Sequence, residues 1–245
     1  MANVKNRQRQ SKKKDRRRKI VLLAATGNLH KIREIAQILG SHFRVIGLNR
    51  LSKTPRIVES GRSFDANAAI KARCVRDALR REKKPARIDF VIADDSGLRI
   101  EVLRGRPGLR SARYAGPAAD DRANRRKILR EMERKSNRSA VFHCSMAIAP
   151  VDTACVHFFR GCVAGSITRV ERGSGGFGYD PIFVPVGRSG TFAEMSTHAK
   201  NQISHRSRAL RRMKRWIWSN CPKRQLFMQK SLVSAGEIVK MYELQ

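Results

Sequence analysis

Ile20-Val21-Leu22-Leu23-Ala24-Ala25-Thr26-Gly27-Asn28-Leu29-His30-Lys31 decides how the fold is read. The first six residues are apolar and partly β-branched, a run of the length of a buried strand. Thr26-Gly27-Asn28 then turns the chain. Ile32, Ile35, Ala36 and Leu39 recur at helical spacing, and Gly40 supplies the stop. Strand, glycine-containing turn and helix in that order open an α/β unit. The same geometry points backbone N–H groups of the first helical turn at an anion, and Lys31 could add a phosphate-neutralising charge. The G-x-x-x-x-G-K-[ST] spacing of a P-loop is absent. On spacing alone an ordinary strand–helix turn is the favoured reading over a phosphate site.

The alternation continues downstream. Arg44 to Leu48 reads as a second strand, and Val58-Glu59-Ser60-Gly61 as a turn carrying an acid. Phe64 to Leu79 reads as a helix with Phe64, Ala68, Lys71, Ala72, Val75 and Leu79 near one face. A charged loop, Arg80 to Arg87, leads to the strand Phe90-Val91-Ile92-Ala93, which runs into Asp94-Asp95-Ser96-Gly97. Ligands of α/β sheets gather at the carboxyl ends of strands, and carboxylates there suit a hard cation such as Mg²⁺. Asp and Gly also make turns for local reasons, so an Asp-rich turn is the competing reading. Leu98 to Leu103 continues as a strand, and Asp120 caps a helix to Lys135. Ala140 to Ala149 and Val156 to Ile167 are further strands, the second broken at Gly161 and Gly165. His143 reads as a packed or solvent-facing strand residue rather than a ligand. No internal repeat and no second domain are visible.

Ser174-Gly175-Gly176-Phe177-Gly178-Tyr179-Asp180-Pro181-Ile182-Phe183 is unlike either a core strand or a linker. Glycine weakens a strand, and disordered linkers are poor in aromatics. Close backbone approach, a ring to cover a flat ligand and a carboxylate to read a donor edge together suit a heterocycle. Gly173, Gly175 and Gly178 match G-x-G-x-x-G, but Pro181 and Pro185 forbid the helix that a dinucleotide fingerprint requires.

The formal net charge is +33, which implies attraction for nucleotides, nucleic acid and acidic surfaces. Compositional drift toward arginine is the alternative. Residues 1 to 19 hold one acid, Asp15, and read as a disordered basic arm. From Arg206 to Arg224 basic residues surround Trp216 and Trp218 with no acid. That segment reads as an amphipathic helix docked by its aromatics, or as a surface that stacks on single-stranded nucleic acid. The five cysteines have irregular spacing and no C-x-x-C, against a disulfide framework or zinc site and for a reducing, cytoplasmic setting. No apolar run approaches the ~20 residues of a membrane span, so no membrane partner is expected. A basic start is also compatible with an organellar presequence.

Six blocks in order carry a resemblance: Thr26 to Lys31; Glu59-Ser60-Gly61 with Phe64 and Asn67-Ala68; Ala93 to Leu98; Ser111-Ala112-Arg113-Tyr114; Gly175 to Phe183; and Lys200 with Ile203 to Arg206. With these the chain resembles the inosine/xanthosine triphosphate pyrophosphatase family over roughly Ile20 to Leu210. The resemblance implies a single α/β domain, elongated and two-lobed, with a central mixed β-sheet and an active-site cleft between the lobes. It implies a purine nucleoside triphosphate substrate (ITP, dITP or XTP), Mg²⁺ as cofactor, and a homodimer. Thr26, Gly27, Asn28, Leu29, His30 and Lys31 would wrap the triphosphate. Glu59 and Asp95 would hold Mg²⁺, with Asp95 also the catalytic acid/base and Ser96 a substrate contact. Phe177, Gly178, Tyr179 and Asp180 would bound the purine, and Lys200, His205 and Arg206 would complete the pocket. The domain would run over residues 20–218, followed by a C-terminal extension, 219–245.

Two departures accompany the resemblance. Ala66 stands where the family commonly has Glu, which puts one support of the metal or its water in doubt. The basic ends and the arginine content are not family features. They leave weak non-specific polyanion binding through the basic ends as an added property, and a catalytically weakened nucleic-acid-binding protein on the same scaffold as the rival reading.

Overall fold

A computed structural model describes residues 19–82, 87–118 and 120–220. The basic arm, apart from Lys19, and the C-terminal extension from residue 221 lie outside the described residues, as does part of the expected loop between Arg80 and Arg87.

The first strand, β1 (Ile20–Ala24), is buried along its whole length. Its alternate side chains enter two different cores. Ile20, Leu22 and Ala24 face one side, and Leu23, with Ala25 just beyond, faces the other. A strand covered on both faces has no polar face to show, hence the unbroken apolar run. Asn28 caps the first helix, α1 (Leu29–Leu39), by accepting from the Lys31 N–H, and Gly40 ends it at φ +80°. The inward face differs in one position from that expected: Ala36 is exposed, and Ile38 packs on the core instead.

The remaining elements are β2 (Phe43–Ile46), α2 (Phe64–Arg80), β3 (Phe90–Ile100), α3 (Asp121–Glu131), β4 (Ser139–Pro150), β5 (His157–Ile167), β6 (Phe183–Pro185), α4 (Thr197–Ile203) and α5 (His205–Asn220). Six strands form one sheet in the order β2-β1-β3-β4-β5-β6. β2, β1 and β3 run parallel, and from β3 onward neighbours are antiparallel, so the sheet is mixed.

Two lobes share the sheet. In the first, α1 and α5 cover one face of β1, β3 and β4, and α2 covers the other. In the second, the far ends of β3 to β5 pack with β6, α3 and the glycine-rich loop, through Leu98, Ile100, Ile128, Phe142, Phe183 and Phe192. The junction lies along β3. β1 pairs with β3 only as far as Ile92, while β3 continues to Ile100. Beyond Ile92 that edge of β3 leaves β1 and is met again only at Leu98 and Ile100, whose N–H groups donate to Ser111 Oγ and the Arg106 carbonyl, so the stretch between them opens between the lobes.

Three expectations are corrected. Asp94 and Asp95 lie inside β3, paired with Met146 and Ser145 of β4, not in a turn and not at a strand end. Glu101–Leu103 is a 3₁₀ turn rather than strand. β5 runs unbroken through Gly161 and Gly165. A Cβ on Gly161 would collide with the carbonyl of His205 and come 2.7 Å from the Ala209 nitrogen; one on Gly165 would collide with Val184. These glycines let α5 and β6 approach the strand, a use of glycine that outweighs its weak strand preference. The Trp-bearing helix docks by its apolar face, with Ala209, Leu210, Met213 and Ile217 buried. Trp216 packs against Phe90, His157 and Phe159, and Trp218 against Phe43.

Candidate active site

Alternation along β3 sends Asp94 and Ser96 to one face and Asp95 to the other. Each face has become a separate charge centre.

Asp94 is the centre of the first. Its side chain is fully buried. Lys31 donates Nζ–H to Oδ1 at 2.7 Å, Ser96 donates Oγ–H to the same oxygen at 2.6 Å, and Arg206 donates Nε–H to Oδ2 at 2.5 Å. Arg206, itself 2% exposed, also donates from Nη1 to Glu34 at 2.6 Å. Burial alone would raise the Asp94 carboxyl, but the charges of Arg206 and Lys31 and their hydrogen bonds outweigh it and hold the group well below the usual carboxylate range. Burial likewise disfavours the Arg206 charge, and Asp94 and Glu34 more than restore it. The network ties α1, the middle of β3 and the first turn of α5 to one another.

A pocket of about 110 Å³ opens beside it. Asn28, Lys31, Ser96, Phe177, Asp180, Lys200, His205 and Arg206 are among its lining. Lys200 donates to Asp180 Oδ2 at 2.7 Å, and the same oxygen accepts the Phe177 N–H at 2.7 Å. Burial raises the Asp180 carboxyl, against the pull of Lys200. Gly176 sits at φ +73° where any Cβ would strike the Asp180 carboxylate, so glycine is required there. The Phe177 ring stacks on His30 at 5.5 Å between centroids, with Lys200 Nζ 5.0 Å and Arg206 Cζ 5.5 Å from its centre. From α3, Asp121 accepts the Gly178 N–H and Arg125 donates to the Gly178 carbonyl. His205 lies flat on Phe142, centroids 4.6 Å apart and 5° from parallel. Its Nδ1 is buried without a hydrogen-bond partner. Burial and then the Arg206 charge push the imidazole well below its ordinary pKa, so it is neutral. A buried polar atom without a protein partner is uncommon and calls for an ordered water or a bound group beside it.

Asp95 is the second centre. Lys71 of α2 donates to its Oδ1 at 2.7 Å and to Glu59 Oε1 at 3.5 Å, while Asn67 Nδ2 lies 3.4 Å from Oδ2. Burial raises the Asp95 carboxyl, and Lys71 opposes the shift. Two carboxylates thus converge on one ammonium. Among the described residues no group of three or more His, Cys, Asp or Glu could enclose a metal. Mg²⁺ is ordinarily held by one or two carboxylates plus phosphate oxygens, and Glu59 with Asp95 fits that requirement. Ala66 stands in the first turn of α2, next to Asn67, with its N–H given to Ser63.

The match to the Ham1 family model extends over residues 22–216, across both lobes and both centres. The chain belongs to the Ham1 family. A dITP/XTP pyrophosphatase of Halalkalibacterium halodurans is 41% identical over 198 residues, covering 80% of this chain and 97% of that protein. One from Bacillus subtilis is 40% identical, covering 80% and 96%. Among solved structures, a Ham1 protein from Coxiella burnetii matches with TM-score 0.69 at 35% identity, covering 82% of this chain and 99% of that one. The Ham1 match runs to Trp216 and so takes in most of α5.

Of the residues singled out in sequence, Asn28, Lys31, Ser96, Phe177, Gly178, Tyr179, Asp180, Lys200, His205 and Arg206 share this pocket, and Glu59 and Asp95 meet at Lys71. Leu29 does not turn inward; it is 61% exposed. Thr26 Oγ1 accepts the Asn28 N–H, and a Cβ on Gly27 would meet nothing within 4 Å, so both shape the turn and neither lines the pocket. The Tyr179 hydroxyl donates to the Ser111 carbonyl at 2.6 Å in the second-lobe core, which fixes the loop. Glu34, Asn67, Lys71 and the hub role of Asp94 were missed. Lys71 carried a usable signal, because a lysine on the apolar face of a helix needs a buried partner.

Proposed function

We propose that this Ham1 protein is a Mg²⁺-dependent pyrophosphatase of non-standard purine nucleoside triphosphates, ITP, dITP and XTP, releasing the monophosphate and pyrophosphate. The observation that carries the reading is the arrangement around β3. A pocket with an aromatic ring, a lysine–carboxylate pair and a neutral imidazole leads to Asn28 and Lys31, and a carboxylate pair lies across the strand.

The base would enter against Phe177, displacing the cation or imidazole now beside that ring. Aromatic stacking of this kind is worth about 1–3 kcal/mol per base. Arg206 and His205 would meet the 6-keto edge. Adenine carries an amino group there and would leave a buried donor unpaired, a mismatch that discriminates strongly. The triphosphate would lie over the N-terminus of α1, where Lys31 and unpaired N–H groups offset its charge.

Glu59 and Asp95 would hold Mg²⁺ together with phosphate oxygens; bound there, the ion would neutralise charge developing on the phosphates. Asp95, with its carboxyl raised by burial, would accept a proton from the attacking water. The water oxygen bonds to the α-phosphorus, the bond to the bridging α,β-oxygen breaks, and pyrophosphate leaves. Lys71 holds Asp95 in place. The biological role in this reading is to keep deaminated purines out of DNA and RNA, in the cytoplasm and as a homodimer.

Hydrolysis of ITP in ¹⁸O-water tests the chemistry. The label is expected in the monophosphate. Label in the released pyrophosphate, or release of inorganic phosphate alone, would contradict attack at the α-phosphorus.

A further inference from the structure

Among the described residues, a run of exposed arginines without acids lies where α5 packs against β5. β6 pairs with β5 only at Gly165–Ile167, and among the described residues no other strand lies along the rest of that edge of β5. Arg208 donates to the Cys162 carbonyl at 3.0 Å and Arg212 to that of Arg160 at 2.7 Å, which covers the edge with cations. Such capping blocks strand-to-strand pairing with another protein chain. Each guanidinium has five N–H donors in all, so most are left over.

Arg208, Arg211, Arg212 and Arg215 are all exposed and share the outer face of α5, one stripe over about 10 Å of helix. The helix contains no acid, and among the described residues no carboxylate pairs with any of the four. Arg160, with its side chain 68% exposed, extends the stripe onto β5, where Asp65 pairs with it. Between them lies a pocket of about 270 Å³, floored by Phe64 and His143, whose rings stack 12° from parallel at 6.0 Å. Arg99, Cys162 and Ala164 continue the same solvent-facing side of the sheet. Trp216 and Trp218 take no part in this surface, because the core has engaged them.

We propose that this face, the α5 arginine stripe with the Phe64–His143 pocket, binds a single strand of nucleic acid. Four cations in a row without acids repel a second copy of the same face and suit a row of phosphates. Stacked rings beside the cations offer unpaired bases a surface that a duplex cannot use. The site lies on the folded body rather than on the basic ends, and it does not depend on the proposed hydrolysis.

The test is fluorescence anisotropy of the full chain with a labelled oligothymidylate of roughly 20 nucleotides, longer than the ~4–16 nucleotides such sites take, over a salt series. Arg211→Ala/Arg215→Ala removes two charges; among the described residues their side chains make one hydrogen bond, Arg211 to the Asn201 carbonyl, and it is long at 3.4 Å, so an unchanged melting temperature is expected. Affinity should fall about tenfold, and the slope of log K against log salt should flatten by about 1.4, at ~0.7 per phosphate contact for single strands. The Arg211→Lys/Arg215→Lys variant should restore most of the affinity. A second full-chain variant, with Lys12 to Lys14 and Arg16 to Arg18 changed to Ser, should lose less. Binding unchanged in the helix variant, binding abolished only by the arm variant, or a duplex of equal length bound as tightly would each overturn the proposal.

Discussion

Asp94 and Asp95 are consecutive in the chain and belong to different charge centres, because β3 turns their side chains to opposite faces of the sheet. Asp94 accepts from Lys31 at 2.7 Å and Arg206 at 2.5 Å; Asp95 accepts from Lys71 at 2.7 Å. One is locked into a buried lattice of ion pairs. The other shares its cation with Glu59 at the cleft.

The two acids therefore differ in what their loss does. Asp94→Asn leaves Arg206 buried with Glu34 as its sole acidic partner, and breaking such a buried pair costs about 3–5 kcal/mol. Burial already disfavours the Asp95 charge, unlike that of Asp94, so Asp95→Asn is expected to cost less stability and to lower kcat at least a hundredfold, in the range general-base losses show. Equal destabilisation by both, or turnover unchanged in Asp95→Asn, contradicts the assignment.

Acid stability follows from the same contrast. The Asp94 carboxyl is lowered in the folded state, so its contribution is present above the unfolded value of about 3.9 and is lost as pH falls through the folded value. Asp94→Asn should flatten the loss of stability below about pH 4. Urea midpoints between neutral pH and the acid limb check this; parallel curves for the two proteins would count against it.

His205 behaves in the same direction at higher pH. Its imidazole is pushed well below the ordinary value of about 6.5, so folding stability should decline as pH drops below that point. The NMR resonances of the His205 ring should show the neutral form throughout the range in which an exposed histidine titrates. Ordinary titration near pH 6.5 would contradict its burial against Phe142.

Much of this was legible locally. β1, its glycine turn and α1 with Asn28 and Gly40 as caps follow from residues within one stretch of chain. So does the glycine-aromatic loop. The placement of the two acids was not legible, because Asp-Asp-Ser-Gly has turn chemistry. What holds it as strand is supplied from afar: a full run of β4 partners, and the cations of Lys31, Lys71 and Arg206, the last 112 positions away. Gly161 was misread for a similar reason. Its cost to the strand is local, while the contact that requires it comes from α5.

Gly161 accordingly gives a stability prediction. Gly161→Ala would press its Cβ against the backbone of His205 and Ala209. Overpacking of this kind costs about 1–3 kcal/mol, and here it displaces the turn that carries His205 and Arg206. A lowered melting temperature with a raised KM is expected; a neutral substitution would show that α5 is seated farther from β5.

Phe177→Ala separates binding from chemistry. Loss of stacking worth about 1–3 kcal/mol should raise KM for ITP roughly tenfold or more, with kcat much less affected because the group does not touch the phosphates. A fall confined to kcat would remove Phe177 from the base site.

The central claim is a pocket selective for a 6-keto purine on an enzyme that releases pyrophosphate. Pyrophosphate release from ITP, XTP, GTP and ATP, measured side by side with Mg²⁺, tests it most directly. The proposed reading predicts that kcat/KM for ITP and XTP exceeds that for ATP by at least a hundredfold, the scale of discrimination that unpaired buried donors provide. Comparable rates for ATP, or no pyrophosphate from any of the four, would contradict it.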